Sequence, residues 1–282
     1  MRAVAVAHGR VVITTALILI SSLFVAPPVG AAYNATCDIL QAADNTWVAR
    51  DSETVTTWVT KVTGWISYYN YTLCQDPGIP FIRPEQSSSS AWVAIEGPNP
   101  GGPAGGDSIV QVGYLKCQNS TGCAVSGIDS SHWNKVVYFY AFGNSNDLLH
   151  NPFPQFIAEA DNLPHTFEVY LHYTGGTRQW EFKIDGTIRK VLDDNWRTWN
   201  RDHVQVANEI WNEGDQIGGR PPSPGDAGNK QKFRDVVWVN NTVHNGLSGS
   251  PYLAGHCYLW ANWQTYNAQD WDVWTTNNHT NC

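Results

Sequence analysis

The chain has 282 residues, with 25 acidic against 17 basic side chains and a formal charge of −8, and only 15% of it is charged. No basic cluster and no basic stripe interleaved with aromatics runs through it, so nucleic acid is excluded as the expected partner. Its 14 tryptophans, 24 glycines and sparse charge suit an exported β protein, long enough for one large sandwich core.

Residues 1–32 read as a secretory signal: Arg2 and Arg10, the apolar run VVITTALILISSLFVA, then Pro27-Pro28 and the small residues 29–32. The apolar run is shorter than the ~20 residues of a spanning helix. The expected protein is therefore secreted and extracellular, with no stable membrane anchor. All of Cys37, Cys74, Cys117, Cys123, Cys257 and Cys282 follow the signal, and an even number in an exported chain predicts disulfides. Cys117 and Cys123 bracket a short polar loop and are expected to pair. Cys257 with Cys282 and Cys37 with Cys74 is one arrangement of the rest. No Cys-x-x-Cys pair or His-x-x-x-His run is present, so no metal or other cofactor is expected.

Residues 33–86 form a mixed strand and loop segment. Asp51 or Ser52 suits a helix cap, but the alternation in VTTWVTKVTGWISYY, with Val59 and Lys61 on one face and Trp58 and Val62 on the other, favours strand. Residues 87–245 are the expected sandwich core. Within them 91–95 and 109–115 alternate as two strands joined by a Gly/Pro loop, with Gln111 sharing a face with Ile109 and Gly113 while Val110, Val112 and Tyr114 line the other. The run VVYFYAF at 136–142 reads as a central strand buried on both faces. TFEVYLHY, TGGT and RQWEFKI form a hairpin, and Asp185-Gly186 a two-residue turn into the next strand. Strands follow at 204–211 and 232–239. Short strands at this spacing with Gly/Pro turns point to an antiparallel β-sandwich. Residues 246–282 are Trp-rich and expected to pack on the sandwich. Trp260, Trp263 and Trp274 suit either sugar stacking or the covering of an open sheet face, the second being the commoner use of Trp. Nothing calls for a second copy, and a monomer is expected.

A Gly-x-Ser-x-Gly nucleophile elbow is absent, and paired cysteines leave no free thiol, so carboxylates remain as the chemistry. Glu209 lies in the apolar run VQVANEIW, where desolvation would raise its pKa toward the range of a general acid or base; a solvent-facing strand residue is the bland alternative. Gln111, likewise, is either a surface filler or a donor left uncrowded for a ligand.

The segments Trp92-Val93-Ala94-Ile95-Glu96-Gly97 and Ile109-Val110-Gln111-Val112-Gly113, followed by Ala207-Asn208-Glu209-Ile210-Trp211, Phe233 and Val236, resemble the motifs of the eqolisin (scytalidoglutamic-type) glutamic peptidases over residues 87–240. The resemblance implies an all-β, concanavalin-like (jelly-roll-type) sandwich with acid endopeptidase activity on polypeptides. In that reading Glu209 is the general base and then the acid, and Gln111 orients water and donates its amide N–H to the oxyanion. Trp92 walls the cleft and Glu96 replaces the family's aspartate, with Trp211 and Glu213 beside the substrate. This sequence has Ala94 where the family has glycine, and Glu209 one place late, which leaves Glu213 as a rival acid/base. The alternative is a non-catalytic secreted sandwich that binds glycans or other cell-surface ligands.

Overall fold

In a computed structural model of the chain, the described residues are 47–71, 73, 88–98, 107–118, 123, 128–144, 154–194, 199–210, 230–249, 252–254 and 261–275. Their strands are β1 (Trp47–Thr54), β2 (Lys61–Ile66), β3 (Ser88–Pro98), β4 (Asp107–Cys117), β5 (Val136–Asn144), β6 (Gln155–Glu159), β7 (His165–Thr174), β8 (Thr177–Ile184), β9 (Thr187–Asp193), β10 (His203–Ile210), β11 (Gln231–Val239), β12 (Val243–Asn245), β13 (Tyr252–Ala254), β14 (Ala261–Asn267) and β15 (Asp270–Thr275). One sheet runs β13-β1-β10-β3-β4-β5-β6 and the other β14-β15-β11-β2-β7-β8-β9, with β12 also on β11. Neighbours pair antiparallel throughout. The fold is all-β, an antiparallel sandwich of concanavalin-like, jelly-roll type. Among the described residues no helix is long and apolar enough to cross a membrane.

The chain moves between the sheets as it runs. β1, β3 to β6, β10 and β13 build one sheet, while β2, β7 to β9, β11, β12, β14 and β15 build the other. Strands from both sides of 87–245 thus enter the same two sheets, with β2 central in its sheet between β11 and β7. Strands form at 47–54 and 61–66 rather than a capped helix, while residues 55–60, whose alternation also reads as strand in the sequence, connect the two sheets outside either strand.

The strand period of two sorts the side chains. Val62 and Ile66 of β2, Phe167, Val169 and Leu171 of β7, and Trp180 and Phe182 of β8 meet Val93, Ile95, Val110, Val112, Tyr114, Val204 and Val206 between the sheets. Gly64 admits this approach: a Cβ there would lie 3.0 Å from Val93 Cγ1. A second cluster lies on the other side of the seven-stranded sheet. It holds Trp92, Ala94, Leu115, Cys117, Val137, Phe139, Ala141 and Ala207 together with Cys123, Ile128 and Trp133 from the connection after β4. A Cys117–Cys123 disulfide ties that connection to the strand end. β5 therefore has apolar neighbours on both faces, as VVYFYAF predicts. The remaining cysteines lie outside the described residues.

Both hairpins use residues the turn geometry favours. Gly175 and Gly176 join β7 to β8 with φ of 57° and 82°, and Asp185 and Gly186 join β8 to β9 with φ of 49° and 72°. Two consecutive positive φ values match the twist of the flanking strands. The C-terminal hairpin of β14 and β15 docks on β11, where Trp271 is buried and stacks on Phe233 at 4.8 Å and 10°. Trp263 packs against the core from a half-buried position.

Candidate functional site

The outer face of the seven-stranded sheet carries the residues singled out from sequence. Register places them in rows across the strands. Gln111 of β4 faces Ala94 of β3, which faces Gln205 of β10. The next row holds Gly113, Trp92 and Ala207, and the one after it Leu115, Ser90 and Glu209. At the opposite end Ile109, Glu96 and His203 form a further row. Directly opposed residues share a face, so Gln111, Trp92, Glu96 and Glu209 all project from the same side of one sheet.

Gln111 is not a surface filler. It is 6% exposed, and its Oε1 lacks a hydrogen-bond partner among the described residues. A buried carbonyl oxygen left this way needs a water or a ligand. Gln205 is equally buried, so two amides flank Ala94 roughly 10 Å apart, two strand spacings. Sequence reasoning passed over Gln205, although its place between Val204 and Val206 is the pattern that marked Gln111.

Trp92 is buried and its indole N–H donates to Glu209 Oε2 at 3.0 Å, a diagonal contact between β3 and β10. Its place is set by Gly113 in the same row. A Cβ on Gly113 would lie 2.0 Å from Ala91 O and 2.7 Å from Trp92 Cα. Glycine thus lets β3 and β4 draw together under the indole.

As a residue Glu209 is only partly buried, yet its carboxyl lies deep enough that desolvation pushes its pKa up from 4.5 to about 7. The indole hydrogen bond opposes the rise and the charge of Glu96, on the same face, adds to it. The group therefore carries a proton through the acidic range and can give or take one near neutrality. Position 208, which a strict match to the eqolisin motif would make the glutamate, holds Asn208 on the other face, where its Nδ2 donates to Ser90 O at 2.6 Å between the sheets. A one-residue offset reverses the face, and only the offset glutamate shares one with Gln111.

The structure brings Glu209 to Trp92 rather than to Gln111. The two expected partners stand two strands and four residues apart, roughly 16 Å between Cα atoms from the ordinary sheet spacings. The row of Trp92 lies between them, so one water does not bridge amide and carboxylate. Glu96 sits at the partly exposed end of the strip, beside His203. Trp211, Glu213 and Trp260 lie outside the described residues.

No family model and no curated protein matches the chain. Among solved structures it is similar to a κ-carrageenase from Pseudoalteromonas carrageenovora in complex with an oligotetrasaccharide of κ-carrageenan, at 11% identity and a TM-score of 0.28 over 82% of this chain and 79% of that one. A glycoside hydrolase family 16 endo-glucanase from Bacteroides ovatus follows at 9% identity and a TM-score of 0.24, over 60% and 69% of the two chains. A Bacillus licheniformis β-glucanase gives 12% identity and a TM-score of 0.18, over 60% and 55%. Likeness at this level leaves function to be argued from this chain's own residues.

Proposed function

We propose that the protein is a secreted β-sandwich that binds carbohydrate on the outer face of its seven-stranded sheet. The observation that carries this reading is the strip in which Trp92 holds a proton-bearing Glu209 at 3.0 Å, with the amides of Gln111 and Gln205 farther along the same face. Sugar hydroxyls both donate and accept, and planar amides and a protonated carboxyl offer donor and acceptor side by side. Ala94, Ala207 and Gly113 keep the floor between them low. Glu96, partly exposed, is the end at which a ligand first meets the strip, and the Glu209 carboxyl lies at its deep end. Affinity electrophoresis and calorimetry against a panel of soluble polysaccharides test the reading, with wild type, Trp92→Phe and Glu209→Ala. At least one polysaccharide should bind, and each variant should weaken it about tenfold by removing a hydrogen bond to or from a partly buried group. Folded variants that bind as wild type does, or a panel without a binder, would refute it.

A second reading, a secreted acid endopeptidase of glutamic type acting on polypeptides, draws on Glu209 having a pKa of about 7 on the same sheet face as Gln111. Its test is casein digestion from acidic to neutral pH by wild type, Gln111→Ala and Glu209→Gln. Activity untouched by both changes discards that pair.

A further inference from the structure

A second group of polar side chains lies away from the Trp92 strip, around the start of β8, the residue after β9 and the run into β10. Arg178, the second residue of β8, pairs with Tyr173 of β7 beside the Gly175-Gly176 turn. The Asp194 backbone N–H, just past β9, donates to Arg178 O at 2.9 Å. From the other sheet's side, the run leading into β10 brings Trp199 and Arg201, held where the Val59 N–H donates to Arg201 O at 2.8 Å. Trp180 and Trp199 meet with ring centroids 6.0 Å apart.

Asp194 is 3% exposed and Arg201 1%. Arg178 Nη2 approaches Asp194 Oδ2 at 2.9 Å, and Arg201 Nη1 stands off at 3.8 Å. One carboxylate thus faces two guanidiniums, and a net positive charge is buried. The hydrogen bonds are also incomplete. The indoles of Trp180 and Trp199 lean toward Asp194 and Tyr173 leans toward Arg201, which favours the charged forms. None of these contacts, nor the Arg178–Asp194 approach, has full hydrogen-bond geometry, and Arg178 Nε and Arg201 Nε are buried with no partner among the described residues. Buried donors in native proteins are nearly always satisfied, by protein, water or ligand. Burial first and then the neighbouring Arg178 lower the pKa of Arg201, against the opposing pull of Asp194 and Tyr173. Two exposed aromatics border Arg201: Trp58, 47% exposed, lies 4.7 Å from its guanidinium, and Tyr173, 57% exposed, is the neighbour whose side chain leans toward it.

We propose that Arg178 and Arg201 form a binding site for an oxyanionic group, a carboxylate or sulfate, entering past Trp58 and Tyr173 and supplying the acceptors that Asp194 alone does not. Guanidinium forks match the paired oxygens of such groups. Asp194 then sets the strength: it keeps the pair folded without a ligand and competes with the incoming anion. This assignment rests on residues separate from the Trp92 strip and does not depend on what that strip binds.

The test follows thermal unfolding and tryptophan fluorescence while sodium sulfate or sodium acetate replaces sodium chloride at constant ionic strength. At ten times its half-saturating concentration, the specific anion should raise Tm by about 3 °C with a saturable fluorescence change. Arg178→Gln, at a half-buried strand end, should raise the half-saturating concentration at least tenfold, and Asp194→Asn should lower it. If Asp194→Asn is unstable without anion, recovery of its Tm by sulfate but not by matched chloride reports the same site. A wild-type response no larger than that to chloride, or an unchanged response in Arg178→Gln, overturns the proposal. Glucuronate and glucose then separate the sources. Tighter binding of glucuronate than acetate, lost in Trp58→Ala, identifies a sugar-borne group, and equal binding identifies small free anions.

Discussion

Replacing Glu209 by Gln tests the electrostatics of the strip directly. The carboxyl titrates at 4.5 in an unfolded chain and at about 7 in the folded one, because burial disfavours its charged form. Between those values the native state keeps a proton that the unfolded chain has released, so stability falls as pH rises through this window. The full span from 4.5 to about 7 corresponds to about 3 kcal/mol, and partial exposure of the residue reduces it to about 2 kcal/mol. Gln keeps a carbonyl oxygen to accept the Trp92 N–H and has no charge to desolvate. The two proteins should therefore differ little at pH 4, while at pH 8 the variant should be the more stable by about 2 kcal/mol. Urea unfolding at several pH values, read by tryptophan fluorescence, gives the difference. Parallel pH profiles for wild type and Glu209→Gln, or a variant losing ground as pH rises, would show that the carboxyl is not desolvated as described.

Asp51 of β1 is buried, and desolvation first, then the charge of Glu53, moves its pKa from 3.8 to about 7 against a backbone hydrogen bond from Ser52. Asp51→Asn should likewise flatten the loss of stability between pH 4 and 7, by about 2 kcal/mol in the same unfolding assay. Gly113→Ala would put a Cβ 2.0 Å from Ala91 O and force β3 from β4, costing about 3 kcal/mol and releasing Trp92, visible as a red-shifted fluorescence maximum. His165 lies between Asp161 at 2.8 Å and Asp185 at 2.5 Å. Burial alone would lower its pKa, but the two carboxylates outweigh it and raise it. The contribution is then complete below pH 6.5 and lost as pH climbs through the raised value, so His165→Gln should cost about 1 kcal/mol at pH 5.5 and less at pH 9.

Much of the sheet architecture was legible along the chain. Alternation in 109–115 sends Val110, Val112 and Tyr114 to the inner face and Gln111 to the outer one, and the strand period alone suffices for this. The Gly175-Gly176 and Asp185-Gly186 turns declare themselves because few residues accept two positive φ values in succession. The Cys117–Cys123 pair was legible from the short loop between them. Gln205 carries the same alternation signal as Gln111 and went unused. Nothing local marks Arg178, Asp194 and Arg201 as neighbours, since they come from β8, the residue after β9 and the run before β10.

Sequence alone thus determined the class of fold, the faces of the strands and the presence of a carboxylate and amides on them, because these follow from period, turn chemistry and composition. The tertiary structure decided which of those groups meet. Pairing of β10 with β3 and of β3 with β4 joins segments about a hundred residues apart or divided by a loop, and only that register reveals that Glu209 reaches Trp92 while Gln111 lies beside Ala94 in line with Gln205. Cross-strand register depends on the packing of whole faces against one another, which no local stretch of sequence contains.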